Sequence, residues 1–332
     1  MERPEASRGG GERRARMGVG LVARVGLGCT GVRRERQRHP GARRGWRARA
    51  TGMGGAGEEV EERWVTLAHA LADVAAPVVQ RYFRQRTLAV DAKGDASPVT
   101  VADRECERAM RELIRKEAPE HGVYGEEAGL ELPSSSGVEY VWVLDPIDGT
   151  RSFITGRPVF GTLIALVEAR SGEPVVGVIS QPILGERWVG VKGRGTTFNG
   201  APCAVRPCGD IGDAYVFATT PHMFEGDAEA RWGRVRDAAR TPLYGCDCYA
   251  YGLLASGHVD VVCEADLKPY DYLAHVPIIE GAGGVVTGWR GEPLRWTPPG
   301  DGDVAASLLG TTDRVIASGD AGVHRRALEL LA

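Results

Sequence analysis

The run Tyr140-Val-Trp-Val-Leu144 is unbroken β-branched, aromatic and aliphatic sequence, and it ends at an aspartate. Such a run predicts a strand covered on both faces, because a half-solvated strand would alternate. Asp145 stands at its carboxyl end, Pro146 disfavours helix for the residue before it, and Asp148-Gly149 is a turn signal. The chain therefore reverses where two carboxylates, three residues apart, can face a common point. An unpaired charge after a fully apolar strand is costly to desolvate, which favours a bound cation over an ordinary surface turn. Hard divalent ions such as Mg2+ take oxygen ligands of this kind, and the Ile147 carbonyl offers a third. Gly149 and Thr150 follow with backbone N–H groups suited to an anion, so the stretch predicts a metal and phosphate site.

The 332 residues suffice for one large or two modest domains, and no apolar run long enough to span a membrane is evident. Charge is unevenly placed. Residues 1 to 50 hold 14 arginines and four acids, which leaves 27 basic against 40 acidic residues in the remainder. That remainder has no basic face, and the arginine-rich stretch lacks interleaved aromatics, which argues against nucleic acid as a partner. Arg-rich, acid-poor sequence of this type predicts a disordered organellar transit peptide over 1–57, directed to the plastid in preference to the mitochondrion, although serine is scarce. Within it, Gly26-Leu-Gly-Cys-Thr-Gly31 matches a dinucleotide fingerprint in form only, with Pro40 close behind and no acid at position 51. Seven cysteines, an odd number without metal-finger spacing, predict free thiols. Neither a Gly-x-Ser-x-Gly elbow nor a Walker-type phosphate loop occurs.

Catalytic sequence is expected over 58–332, in two α/β halves of about 58–200 and 201–332. Val60, Trp64, Leu67, Leu71, Val74 and Val78 recur at helical spacing and predict a helix over 58–86. A second helix is predicted over 101–116, with Thr100 and Asp103 at its start as cap and first-turn acid. Runs at 161–167, 174–179 and 186–191 predict an antiparallel meander, and 193–199 a loop. Further on, strands are predicted at 215–218, 259–263 and 315–317, and helices at 227–239, 249–255, 270–281 and 320–331.

Asp-Pro-Ile-Asp-Gly-Thr at 145–150 with Phe153, Gly-Glu-Glu at 125–127 and Tyr-Asp at 270–271 stand in an order that resembles the inositol monophosphatase superfamily. Within it, Gly-Thr-Arg-Ser-Phe-Ile-Thr-Gly at 149–156, Gln-Pro-Ile-Leu-Gly-Glu-Arg-Trp at 181–188, and the stretches 243–251 and 267–273 resemble the histidinol-phosphate phosphatases. The resemblance covers most of the chain after residue 58. It implies a layered α-β-α-β-α sandwich, a homodimer, and two or three Mg2+ ions per active site. Glu126, Asp145, the Ile147 carbonyl, Asp148 and Asp271 are the implied metal ligands, with Glu126 and Thr150 activating water. Asp103 is implied to assist that water, and its capping role can hold beside this. Glu127 stands beside Glu126 as the second acid of that pair. Ile147, Asp148, Gly149, Thr150, Gly245, Cys246, Asp247, Glu264 and Asp271 are the implied substrate contacts.

Histidinol carries an ammonium and an imidazole, so its pocket needs acids where a cyclitol pocket needs neutral groups. Asp247 supplies one and Glu264 a second, although Asp247 can equally cap the helix predicted at 249–255. The sequence therefore predicts a Mg2+-dependent phosphomonoesterase acting on L-histidinol phosphate, a small phosphorylated substrate. A broader inositol- or sugar-phosphate phosphatase is the alternative enzyme. A metal-retaining regulatory or scaffold protein would be expected to have lost a catalytic acid or Thr150, and all are present.

Overall fold

The computed structural model describes residues 60–86, 90–92, 98–134, 137–298 and 312–332, all within one compact unit, Gly57–Ala332. The expected transit peptide and the fingerprint-like glycines lie outside the described residues. No helix among the described residues is long and apolar enough to cross a membrane.

Two long helices open the fold, α1 (Glu62–Tyr82) and α2 (Val101–Glu117), with a short pair β1 (Val90–Ala92) and β2 (Pro98–Thr100) between them. An eight-stranded sheet follows, built from β3 (Gly122–Gly125), β4 (Gly129–Glu131), β5 (Tyr140–Asp148), β6 (Gly161–Glu168), β7 (Pro174–Gln181), β8 (Glu186–Val191), β9 (Gly195–Phe198) and β10 (Ala201–Pro202). Its order is β10-β9-β8-β7-β6-β5-β3-β4. The short α3 (Thr150–Ile154) leaves the sheet at the end of β5.

The second sheet has five strands in the order β12-β11-β13-β15-β14. These are β11 (Tyr215–Ala218), β12 (Thr241–Tyr244), β13 (Val261–Glu264), β14 (Val285–Gly288) and β15 (Val315–Ser318). Around it lie α4 (Asp227–Ala238), α5 (Tyr249–Ala255), α6 (Pro269–Tyr272), α7 (His275–Gly281) and α8 (Ala321–Leu331).

Strand periodicity sorts the side chains into layers. Trp142 and Leu144 of β5 face α1 and α2 with Leu71, Ala75, Met110 and Ile114. Val141 and Val143 face the opposite way, into a cluster shared with α5, α7 and one face of the small sheet, including Leu254, Ile278, Val262 and Val315. The other face of that sheet, through Val261, Cys263 and Ile316, packs on Trp232 and Val235 of α4 and Ala327 and Leu331 of α8. The result is the expected α-β-α-β-α order.

Several elements differ from the sequence reading. The helix expected over 270–281 is two, broken at Leu273-Ala274, because Pro277 has no N–H for the Leu273 carbonyl. The loop expected at 193–199 contains β9. Strands β4, β12 and β14 are short, with little apolar pattern or with Pro242 at a sheet edge, and so escape a periodicity reading. The six described cysteines are free, as expected.

Helix α7 lies directly on the large sheet over two glycines. A Cβ on Gly177 would stand 2.0 Å from the Ala274 carbonyl oxygen, and one on Gly190 would stand 2.3 Å from that of Pro277. Only residues without a side chain permit this approach, and it brings Asp271, just before α7, against the end of β5.

Candidate active site

Strand β5 continues past Leu144 to Asp148, but its pairing with β6 breaks register between Asp145 and Asp148. A bulge of this kind bends the strand and re-aims its side chains. The Asp145 carboxylate turns back to accept the Ile147 N–H at 3.0 Å. The Thr150 hydroxyl donates to the Ile147 carbonyl at 3.2 Å. Asp148 is tied across the cleft, where the Cys248 N–H donates to its Oδ2 at 2.6 Å. Gly149 has φ +83°, a conformation that favours glycine.

Asp271 comes from the other half. Its Oδ2 accepts the Lys268 N–H at 2.7 Å and so caps α6. Carboxylate oxygens of Asp145, Asp148 and Asp271 all lie within 4.8 Å of one another. Burial, with neighbouring negative charge second, raises the pKa of each. Asp145 and Asp148 are held well above the carboxylate range and Asp271 is pushed up to about 8. Glu126 contributes to the repulsion felt by Asp145 and Asp271. Four acids so placed are either protonated or neutralised, and an all-oxygen set of this size fits a hard divalent cation.

Glu126 sits just beyond β3, with its N–H on the Leu144 carbonyl at 3.1 Å. Glu107 and Arg111 hold this turn, a role that sequence did not reveal. The Glu107 carboxylate accepts the N–H groups of Glu127 at 2.8 Å and Ala128 at 3.0 Å, and Arg111 donates to it at 2.7 Å. Both residues are buried, at 1% and 4% exposure. An i, i+4 acid-base pair on a polar helix reads as surface, and only the fold shows otherwise. The structure thus ties the Glu127 main chain to this brace.

Asp103 takes the capping role expected of it. Its Oδ2 accepts the Thr100 N–H at 2.8 Å in a capping box, whereas its buried Oδ1 has no hydrogen-bond partner among the described residues. Burial raises the pKa of its carboxyl, and Glu126 adds to the rise.

The acids form one wall of a cleft of about 650 Å³, which Gly149, Thr150, Gly245, Asp247 and Glu264 also line. Asp247 does not cap α5. Its Oδ2 instead accepts the Ser152 hydroxyl at 2.6 Å. Both oxygens of Glu264 have internal donors, the Thr219 N–H at 3.0 Å and the Tyr251 hydroxyl at 2.9 Å. This makes Glu264 a brace for the cleft wall, and burial lifts its pKa to about 7. Cys246 is not among the lining residues. Its side chain packs against the apolar layer between the sheets. Ser152, Arg157 and His275 line the cleft without having been assigned a role from the sequence, although Ser152 lies in the 149–156 stretch.

The Inositol monophosphatase family matches residues 61–329. Over 270 residues the chain is 50% identical to the Bifunctional phosphatase IMPL2, chloroplastic, of Arabidopsis thaliana, covering 81% of this chain and 75% of that one. It is 39% identical over 228 residues to a Histidinol-phosphatase of Chlorobaculum parvum, covering 68% and 85%. A solved inositol monophosphatase from Zymomonas mobilis superposes with a TM-score of 0.69 at 46% identity, covering 81% of this chain and 98% of that one.

Proposed function

This chain belongs to the inositol monophosphatase family of phosphatases, and from that premise we propose that it is a Mg2+-dependent phosphomonoesterase whose substrate is L-histidinol phosphate. The observation that carries the substrate is Asp247, a carboxylate lining the same cleft as the clustered acids, with one oxygen held by Ser152. Relatives named histidinol-phosphatase support it.

Glu126, Asp145, the Ile147 carbonyl, Asp148 and Asp271 would hold two or three Mg2+ ions. Bound there, Mg2+ supplies Lewis acidity, offsetting the repulsion among the carboxylates and the charge that builds during phosphoryl transfer. Backbone N–H groups of Gly149 and Thr150 hold phosphate oxygens. Glu126 and the Thr150 hydroxyl orient the attacking water, and Glu126 accepts its proton. The buried Oδ1 of Asp103, unpartnered among the described residues, would assist that water. On the far side of the phosphate, Asp247 takes a cationic group of histidinol.

Purified protein lacking residues 1–52, given L-histidinol phosphate, inositol 1-phosphate and phenyl phosphate with Mg2+, tests this. A kcat/KM for histidinol phosphate at least tenfold above the other two is expected. Equal rates would favour the broader inositol- or sugar-phosphate activity, for which the likeness to the Zymomonas mobilis enzyme is the supporting observation. Plastid import and homodimerisation belong to the same reading. A reporter carrying residues 1–57 should enter plastids and be processed, and the purified enzyme should sediment as a dimer.

A further inference from the structure

The loop carrying Asp247 is joined to the segment 148–157 at four points. Asp148 accepts the Cys248 N–H at 2.6 Å, and Asp247 accepts the Ser152 hydroxyl at 2.6 Å. The Asp247 side chain lies on the α-carbon of Gly149, where an added Cβ would meet its Cγ at 2.8 Å. Arg157 donates to the Gly245 carbonyl.

Gly245 and Asp247 have φ of +87° and +46°. A non-glycine residue in the left-handed region persists when its surroundings hold it there. The holding groups come from the segment that carries the phosphate turn. Within a substrate, the distance from phosphorus to a cationic nitrogen is set by covalent geometry. A reader fastened to the phosphate turn keeps a matching offset.

Resting on the reading of Asp247 as the substrate's cation partner, we propose that Ser152 and Arg157 are positioning residues for specificity. Ser152 fixes the Asp247 carboxylate by one oxygen, and Arg157 fixes the loop at Gly245. Oδ1 of Asp247 accepts no hydrogen bond from the described residues and is the oxygen left for an ammonium or imidazolium. Neither residue touches the reacting atoms. Arg157 is exposed, so its replacement leaves the core undisturbed, whereas Ser152 is 2% exposed.

The test compares Ser152→Ala, Ser152→Thr and Arg157→Met on L-histidinol phosphate and phenyl phosphate in the Mg2+-loaded enzyme. Ser152→Ala should lower kcat/KM for histidinol phosphate about five- to tenfold, carried by KM, while phenyl phosphate changes less than about twofold. Ser152→Thr, which keeps the hydroxyl, should recover most of the loss. Arg157→Met should reproduce the split at about three- to fivefold even if Ser152→Ala misfolds. Equal losses on both substrates, or no loss on either in both variants, would overturn the positioning role while leaving the substrate reading intact. A wild-type enzyme without preference for histidinol phosphate would sink the substrate reading, and this inference with it.

Discussion

The two halves contribute acids to one cleft by different means. In the large-sheet half, Glu126, Asp145 and Asp148 stand at the ends of strands buried on both faces, beside a bulge in β5. In the small-sheet half, Asp271 and Asp247 stand at a helix start and in a left-handed loop, held by hydrogen bonds to backbone or to the other half. On the proposed reading, three of the acids that would hold a cation are fastened to a close-packed sheet and the fourth, Asp271, to a helix start, whereas the proposed substrate acid Asp247 stands on a short loop.

Replacing an acid on the sheet should have the largest effect and should not discriminate between substrates. Asp145→Asn is expected to lower kcat roughly a thousandfold or more on histidinol phosphate and phenyl phosphate alike, with an unchanged far-ultraviolet circular dichroism spectrum. Near-normal hydrolysis of both substrates would contradict the ligand role. The brace behind Glu126 comes next. Arg111→Met leaves the Glu107 carboxylate buried without its cation and should cost about 3–5 kcal/mol of stability in a urea titration. Activity on both substrates should fall together.

Changing the Asp247 loop should separate the substrates. Asp247→Asn removes a charge-assisted contact worth about 1.5–3 kcal/mol, so kcat/KM for histidinol phosphate should fall roughly ten- to a hundredfold. Phenyl phosphate should change much less. A parallel fall in both would mean that the loop sits in the catalytic machinery, and the contrast between the halves would disappear.

A smaller effect tests whether the halves unfold as one. Burial lowers the pKa of His121 beside the large sheet and His324 beside the small one to about 4. Both are neutral when folded, while the unfolded chain takes up protons below an ordinary histidine pKa of about 6.5. Their contribution is complete above that pH and is lost as pH falls toward the folded value. Each should account for roughly 1 kcal/mol of the stability lost between about pH 7.5 and 5.5. His121→Gln and His324→Gln, compared with wild type by chemical unfolding at both pH values, should each reduce the drop by that amount. A single transition is expected throughout, because the cluster containing Val143 and Val262 joins the two sheets.

Much of this arrangement was legible in the chain itself. The apolar run of β5, the Pro-Gly punctuation after it and the helical spacing of α1 are local signals. Local signals suffice where burial on both faces or a turn residue dictates the backbone. They placed Asp145, Ile147, Asp148 and Thr150 in one turn, and motif order added Glu126 and Asp271. What the sequence could not decide was which polar groups end up buried and against what. Glu107 and Arg111 received no role, and Ser152 stood within the 149–156 stretch without one. Asp247 was equally consistent with a helix cap and a substrate contact. Tertiary structure decided these because contacts such as Ser152 with Asp247, 95 residues apart, depend on how the two sheets stack. That stacking depends on Gly177 and Gly190, whose missing side chains let α7 lie on the sheet, a condition visible only once the helix is in place.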